Sequence, residues 1–218
     1  MRLISAPGVY RPQADSWLLA RAMTEAGLAP GGRVLDLCTG TGAVAIAAAK
    51  AGAASVTAVD ISRAAVISAW LNIRLRRLAV ELVHGDFRTV MHNRRFDVVL
   101  ANPPYVPVAD GARSRVGARA WDAGHHGRDL LDPLCARLPS LLDLNGVALL
   151  VQSAISGPHL TVSRLKAGGL KAAVVARTRI PFGPIMRSRA HWLAEQGLIE
   201  PGQRHEELVV IRADRTKP

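Results

Sequence analysis

Cysteine and long apolar runs are both scarce in this sequence of 218 residues. Its two cysteines, Cys38 and Cys135, form no CxxC motif, which argues against a disulfide framework and against a zinc site. No apolar run approaches the ~20 residues that cross a membrane, and residues 1–30 lack the apolar core of a signal peptide. We therefore expect a cytoplasmic protein with no membrane partner.

Acidic residues are few as well. There are 17 Asp and Glu against 28 Lys and Arg, which gives a formal net charge of +11. Such a charge favours anionic partners, for example a nucleic acid or a ribonucleoprotein, although an arginine-rich genome would produce it too. The composition, with 49% hydrophobic residues, is that of a globular protein. We expect one α/β domain over 1–218, with an N-terminal arm and helix at 1–30 and a substrate-side loop at 106–127.

A short apolar run followed by two prolines dominates the middle of the chain. Residues 98–101 are continuously apolar, which predicts a strand that is buried on both faces. Pro103 and Pro104 cannot donate hydrogen bonds to a sheet, so this strand has to stop at Asn102. Asn102, Pro103 and Tyr105 are thereby expected at the carboxyl end of a central strand, where open α/β sheets bind their ligands.

This group of residues suits attack by a planar nitrogen. The side-chain carbonyl of Asn102 and the backbone carbonyl of Pro103 can each accept one hydrogen of an incoming NH2 group. Two such acceptors draw the delocalised nitrogen towards tetrahedral geometry, and Tyr105 can stack on the planar group. The alternative is a strand that ends at prolines and continues into an ordinary turn.

A turn with two glycines follows the first predicted strand. Strand 34–37 leads into Gly40 and Gly42, and small residues predict a helix over 43–50. Strand, turn and helix N-terminus together are typical of a nucleotide site, because glycine admits the ligand to the backbone and free N–H groups face it. The third glycine of the dinucleotide motif is replaced by Ala45. A nucleoside without phosphates, such as S-adenosylmethionine, therefore fits better than NAD.

Acidic residues accompany the first three predicted strands. Asp36 lies in the first strand, Asp60 follows a second strand at 55–59, and Asp86 follows a third at 80–83. Asp60 comes about 20 residues after the glycine turn, the usual spacing of an acid that binds ribose hydroxyls. Three acids at successive strand ends indicate a nucleoside site more strongly than the glycines alone.

The remaining elements suit a seven-stranded sheet whose last two strands form an antiparallel edge hairpin. We predict strands at 146–152, around 174–175 and at 208–211, with helices at 130–142 and 187–196. A further helix near the N-terminus ends at Gly27, and Asp15 or Ser16 could cap it.

Two motifs carry a family resemblance. DLCTGTG at 36–42 together with NPPY at 102–105 resembles class I S-adenosylmethionine-dependent N-methyltransferases, which have a Rossmann-like sheet. Within that class, WDAG at 121–124, GRD at 127–129 and RIPFGP at 179–184 resemble the HemK family. The opening VYRP at 9–12, together with Asp15 and Ser16, is similar to the short branch of the family, which lacks the N-terminal helical domain. HemK enzymes methylate the glutamine of the GGQ motif in peptide-chain release factors.

The resemblance implies a set of site residues and a cofactor, S-adenosylmethionine, which leaves as S-adenosylhomocysteine. It implies that the glycine turn lies by the methionine part, that Asp60 binds ribose, and that the arm closes over the cofactor. The implied catalytic residues are Asn102, Pro103 and Tyr105, and the implied cofactor-binding residues are Tyr10, Ser16, Asp36, Cys38, Gly40, Gly42, Asp60, Ile61, Asp86, Phe87 and Asn102. No metal is implied.

The sequence departs from the family pattern at two places. Cys38 stands where the family usually has glycine, which narrows the expected pocket. His125 and His126 stand where acidic residues are expected, in the substrate-side loop.

Methyl transfer to the GGQ glutamine of a release factor, on or near the ribosome, is accordingly the predicted function. The first alternative is a nucleic-acid methyltransferase acting on adenine N6 or guanine N2 in rRNA or DNA, and a remote one is a non-catalytic cofactor-binding partner protein. Arg113, Arg115 and Arg119 are the predicted contacts to a nucleic acid. The need for a small activating subunit stays open.

Overall fold

A mixed β-sheet with helices on both faces forms the centre of the protein. The computed structural model describes residues 2–109 and 122–216. The strands are β1 Arg33–Leu37, β2 Ser55–Asp60, β3 Glu81–His84, β4 Phe96–Ala101, β5 Leu142–Ser153, β6 Lys171–Pro181 and β7 His205–Asp214. The helices are α1 Ala14–Glu25, α2 Ala43–Lys50, α3 Arg63–Arg74, α4 Phe87–Val90, α5 Leu131–Leu141, α6 Pro158–Ala167 and α7 Pro184–Glu195, with a 3-10 turn at Ala154–Ser156.

The seven strands lie in the order β3-β2-β1-β4-β5-β7-β6. The first five strands run parallel, whereas β7 inserts antiparallel between β5 and β6. The predicted class I methyltransferase sheet with its antiparallel C-terminal hairpin is thus confirmed. The strand order reverses between β1 and β4, which is the point where such sheets open a ligand crevice.

The register of the central strands brings separate parts of the sequence to one edge. Leu37 at the end of β1 pairs with Val59 in β2 and with Ala101 in β4. The residues that follow these partners therefore leave the sheet side by side. Cys38, Asp60 and Asn102 are collected at this edge by backbone pairing alone.

The two faces of the sheet support two hydrophobic clusters. Val98 and Leu100 pack into one cluster, and Val99 and Ala101 pack into the other. Because successive side chains point to opposite faces of a strand, a continuous apolar run is what a strand covered on both faces requires. The prediction of a buried central strand at 98–101 is confirmed.

Several boundaries differ from the prediction. Strand β6 is 11 residues long, whereas the sequence predicted a strand only around 174–175. The prediction was too short because the positions of this edge strand alternate between half-exposed and exposed, and arginines at the exposed positions interrupt the apolar pattern. Helix α7 begins at Pro184, since proline suits the first turn of a helix. The predicted cap of the N-terminal helix is wrong: α1 begins after Gln13, and the side chain of Gln13 makes no capping hydrogen bond.

Two side chains of α3 hold the N-terminal arm. Asn72 accepts from the backbone N–H of Ile4 at 2.8 Å and donates to the carbonyls of Ile4 and Thr41 at 2.8 and 3.0 Å. The hydroxyl of Ser68 accepts from the N–H of Ala6 at 3.1 Å. The arm is therefore fastened across the glycine turn.

Among the described residues, no helix is both long and apolar enough to span a bilayer.

Candidate active site

A large open cavity occupies the carboxyl edge of β1, β2 and β4. Its volume is about 1230 Å³, above the usual 300–1,000 Å³ of a small-molecule pocket, so a nucleoside cofactor and an acceptor side chain fit together. Of the residues expected in the site, the cavity is lined by Tyr10, Cys38, Gly40, Asp60, Ile61, Asp86, Phe87, Asn102, Pro103 and Tyr105. Ser16 and Asp36 line an adjoining recess of about 20 Å³.

Asp60 joins the ends of the first two strands. One carboxylate oxygen accepts from the N–H of Gly40 at 2.9 Å, and the other accepts from the N–H of Ser62 at 2.9 Å. Burial raises the pKa of Asp60, and these backbone donors oppose the shift. The carboxylate thus fixes the glycine turn while it lines the cavity.

Asp36 lies behind the turn. Its Oδ2 accepts from the Thr39 hydroxyl at 2.6 Å and from the N–H of Ala45 at 3.0 Å. Burial raises its pKa to about 7, and the Thr39 hydrogen bond opposes the shift. Asp36 therefore supports the turn and the start of α2, and it reaches the recess but not the main cavity.

Three positions of the turn have a left-handed φ, and two of them, Gly42 and Cys38, have different uses. Gly42 does not line the cavity or the recess. Its φ is +82°, and a Cβ there would lie 3.2 Å from the Cβ of Ala69, so this glycine serves close packing of α3. Cys38 has a φ of 60°. That left-handed conformation favours glycine, which gives a physical reason for the glycine expected here and means that the cysteine is held under strain.

The far end of the cavity is flanked by apolar side chains. Ile61 is exposed and Phe87 is buried, and both line the cavity. Asp86 accepts from the N–H of Arg88 at 2.9 Å at the start of α4. The Arg88 guanidinium also pairs with the Asp86 carboxylate and lowers its pKa. Two apolar walls beside an ionised acid suit a flat base with hydrogen-bond donors, as in adenine.

Asn102 is held by the N-terminal arm at the other end of the cavity. Its Nδ2 donates to the hydroxyl of Ser16 at 3.2 Å, and that hydroxyl donates to Asp15 Oδ1 at 3.2 Å. Tyr10 and Tyr105 donate their hydroxyls to the other oxygen of Asp15, at 2.7 and 2.9 Å. Asp15, which the sequence suggested as a helix cap and, with Ser16, as part of a family segment, is the centre of this network.

Comparison with known proteins agrees with this geometry. Residues 1–119 match the family model of the methyltransferase small domain. A protein of Methanocaldococcus jannaschii, provisionally named a protein N5-glutamine methyltransferase, is 35% identical over 182 residues, 83% of this chain and 90% of its own length. The release factor glutamine methyltransferase of Deinococcus radiodurans is 36% identical over 172 residues, 76% of this chain and 61% of that enzyme.

The chain belongs to the HemK family. It is an S-adenosylmethionine-dependent methyltransferase, and the predicted membership of the HemK family is confirmed. Among solved structures, the Mtq2–Trm112 complex of E. cuniculi, responsible for methylation of the eRF1 translation termination factor, contains a similar fold. The TM-score is 0.60 at 22% identity, covering 95% of this chain and 99% of that chain.

The NPPY segment at 102–105 is held in place by residues behind it. The Ser156 hydroxyl donates to the backbone carbonyl of Tyr105 at 2.7 Å. Gly127, with a φ of +68°, packs so closely that a Cβ would lie 2.3 Å from the same carbonyl oxygen. Arg128 donates to the carbonyl of Gly157 at 3.1 Å and to Asp132 at 2.7 Å. The sequence marked 127–129 as a family segment but not as this clamp.

Glu206 is a second acidic residue that sequence reasoning missed. It comes from the start of β7, is 7% exposed and lines the cavity. Burial raises its pKa and the charge of Asp15 adds to the shift, whereas Ser153 opposes it. The Ser153 hydroxyl oxygen and Glu206 Oε2 are both buried, and neither has a partner that satisfies hydrogen-bond geometry among the described residues. No sequence motif indicates that Glu206, on β7 near the end of the chain, lies in the same cavity as the N-terminal arm.

The substrate-side loop is described only in part. Arg113, Arg115, Arg119 and Trp121 lie outside the described residues. His125 packs edge-on against Trp192 with ring centroids 5.5 Å apart. Over residues 2–109 and 122–216, no group of three or more His, Cys, Asp or Glu side chains is placed to hold a metal.

Proposed function

We propose that this chain methylates the side-chain amide nitrogen of a glutamine, the GGQ glutamine of a peptide-chain release factor. The carrying observation is the orientation of Asn102. Because its Nδ2 is engaged by Ser16, its Oδ1 is the end available to an incoming amide NH2. A paired acceptor is supplied by the backbone carbonyl of Pro103, which also lines the cavity.

Bound S-adenosylmethionine supplies an electrophilic methyl group on a sulfonium sulfur. Transfer of that methyl group to the amide nitrogen would leave the carbon–sulfur electron pair on sulfur, giving S-adenosylhomocysteine, and would release one proton from the nitrogen to water. Asn102 and Pro103 accept the N–H hydrogens as the nitrogen loses its planarity, and Tyr105 walls the cavity beside them. This selective contact acts in the transition state and therefore raises kcat.

The cofactor half of the proposal assigns Asp60 to the ribose, Ile61, Asp86 and Phe87 to the adenine, and the Gly40 turn to the methionine part. Tyr10 would cover the cofactor from the arm. Asp36 and Gly42 would act through the shape of the turn. We treat residues 1–218 as one methyltransferase domain acting in the cytoplasm.

The names of the relatives support a protein substrate, since both act or are named to act on protein glutamine. The nucleic-acid alternative depends on the charge of +11 and on Arg113, Arg115 and Arg119. A flipped base is flat on both faces and needs two walls, whereas an amide needs a narrow slot beside Tyr105. The protein substrate is therefore the favoured proposal.

A small partner subunit is the second component of the proposal. Ile67, Trp70 and Leu75, on α3 and just after it, are 58, 51 and 68% exposed, beside the edge strand β3. The related fold of Mtq2 was solved with Trm112. If a subunit covers this face, Trp70→Glu should abolish its co-purification and leave cofactor binding unchanged.

Methylation with labelled S-adenosylmethionine tests the substrate directly. The purified chain is offered a release factor, total ribosomal protein or total RNA, and the product is mapped by mass spectrometry. We expect the label on the GGQ glutamine, and none with Asn102→Ala. Label in RNA alone, or a GGQ glutamine still fully methylated in a deletion strain that has lost a base methylation, would overturn the protein-substrate proposal.

A further inference from the structure

A hydrogen-bonded chain of three side chains links the N-terminal arm to the acceptor motif. It runs from Asp15 through Ser16 to Asn102, and we name it the Asp15 relay. We infer that Asp15 is a positioning residue which, through the Ser16 hydroxyl, fixes which end of the Asn102 amide faces the substrate. The inference rests on the proposed function of Asn102 and adds a residue that acts through it.

The direction of each hydrogen bond in the Asp15 relay follows from the chemistry of Asp15. Its carboxylate is nearly fully buried, and four donors converge on it. The N–H and hydroxyl of Ser16 reach Oδ1 at 2.6 and 3.2 Å, and the hydroxyls of Tyr10 and Tyr105 reach Oδ2 at 2.7 and 2.9 Å. Each oxygen of the carboxylate accepts two of these four bonds. Every neighbour that touches it must therefore donate.

This requirement sets the polarity of Ser16. A serine hydroxyl has one hydrogen and two lone pairs. Because the hydrogen points at Asp15, only lone pairs face Asn102. They can accept from an N–H at 3.2 Å, but they would repel the carbonyl end of the amide. The Nδ2 end is held at Ser16, and Oδ1 is turned to the acceptor side.

The alternative orientation would be unproductive. With the Asn102 amide reversed, its NH2 group would face the NH2 of the substrate, donor against donor. The transition-state hydrogen bond would be lost and a donor left unsatisfied. Such a defect lowers turnover on the order of tenfold to hundredfold, and it leaves the cofactor half of the cavity intact.

A merely structural role for Asp15 predicts something else. Tyr10 and Tyr105 share its Oδ2, so the residue also pins the arm against the motif. If that were all, substitution would lower thermal stability and cofactor affinity, and kcat would change little. The ratio of the effect on kcat to the effect on cofactor Kd separates the two roles.

Asp15→Asn is the central test because it keeps the shape of the side chain and removes the fixed polarity. An asparagine has one acceptor oxygen in place of two, so the N–H of Ser16, at 2.6 Å, and the hydroxyls of Ser16 and the two tyrosines compete for it. A Ser16 hydroxyl hydrogen that loses its acceptor can then bind Asn102 Oδ1. We expect kcat with the release factor to fall roughly tenfold to hundredfold, with cofactor Kd nearly unchanged. Asp97→Asn, in an exposed ion pair with Arg33, is the matched control and should behave as wild type.

Ser16 provides the independent arm of the test. Ser16→Ala should lose as much kcat as Asp15→Asn, and Ser16→Thr, which keeps the hydroxyl, should restore it. In the Ser16→Ala background, Asp15→Asn should cost little more, since both act through one hydrogen bond. If Asp15→Asn does not fold, the comparison of Ser16→Ala with Ser16→Thr decides alone.

Three results would overturn the relay. They are a normal kcat in folded Asp15→Asn or Ser16→Ala, full additivity of the two substitutions, and a loss confined to cofactor Kd. Asn102→Ala separates this failure from failure of the proposed function. If Asn102→Ala keeps its turnover, both fail; if it loses turnover while Asp15→Asn does not, only the relay fails.

Discussion

Replacing Asp60 by alanine should weaken cofactor binding much more than it weakens the fold. The carboxylate holds the N–H groups of Gly40 and Ser62, each at 2.9 Å, and lines the cavity at the end of β2. Removing it frees the glycine turn on one side and the start of α3 on the other. Under the proposed function it also removes the partner of the ribose hydroxyls.

The expected size follows from hydrogen bonds to a charged group. Such a bond contributes ~1.5–3 kcal/mol, so Kd for S-adenosylmethionine should rise roughly tenfold to hundredfold. The loss in unfolding free energy should be smaller. Burial raises the pKa of Asp60, which means that its ionised form carries a desolvation cost in the folded protein, and alanine removes that cost together with the bonds.

Isothermal titration calorimetry with the cofactor and thermal unfolding without it give the two quantities. Asp97→Ala is the matched control. Asp97 is also an aspartate near the end of a strand, but it lies at the start of β4 and pairs with Arg33 at the start of β1, away from the cavity. An unchanged Kd in a folded Asp60→Ala protein would remove Asp60 from the cofactor site. A loss of stability larger than the loss of affinity would make its role purely structural.

Three further outcomes are expected. Asn102→Ala should abolish turnover while cofactor Kd measured by calorimetry stays near wild type; a collapse of binding with normal residual kcat would contradict its role. Gly127→Ala should lower the unfolding free energy, measured in urea, by more than the ~1–3 kcal/mol that a left-handed backbone conformation costs alanine, because the added Cβ would lie 2.3 Å from the Tyr105 carbonyl oxygen. Gly197→Ala is the control, since Gly197 has a similar φ and open space around it. Equal losses in the two variants would refute the clash. The pKa of Asp36 is about 7 in the folded protein against 3.8 ordinarily, so folding favours its protonated form, and its contribution to stability should fall by roughly 4 kcal/mol as pH rises from about 4 to about 7. Urea unfolding across that range should show this pH dependence in the wild type and not in Asp36→Asn. Parallel curves for the two proteins would contradict it.

The parts of the fold that the sequence predicted are those in which local pattern and tertiary environment agree. A run buried on both faces is apolar at every position, so residues 98–101 could be assigned without any knowledge of neighbours. The helix at 43–50 was placed correctly because alanine has the highest helix propensity and the glycine turn marks where the helix begins. Strand β6 was shortened because its exposed positions hold arginines, as on many sheet edges.

The site divides in the same way. Residues in motifs, such as Asp60 and Asn102, were predicted because strand ends gather at one edge of a parallel sheet. Asp15 and Glu206 were missed as members of the site since their contacts depend on tertiary placement. The hydroxyl of Tyr105 reaches Asp15 across 90 positions of sequence. The sequence placed Asp15 with Ser16 in a family segment without a role in the site, and the helix cap that the local pattern suggested was wrong.

Two carboxylates organise the two halves of the cavity without sharing a partner in the described structure. Asp60 holds backbone N–H groups of the turn and α3, whereas Asp15 holds side chains of the arm and the acceptor motif. Sites without common partners have nearly additive effects. Asp60→Ala combined with Asp15→Asn should therefore show the Kd change of the first and the kcat change of the second, multiplied in kcat/KM. A strong departure from that product, measured by steady-state kinetics at saturating release factor and varied cofactor, would mean that the arm couples the two halves and that Tyr10 carries the coupling.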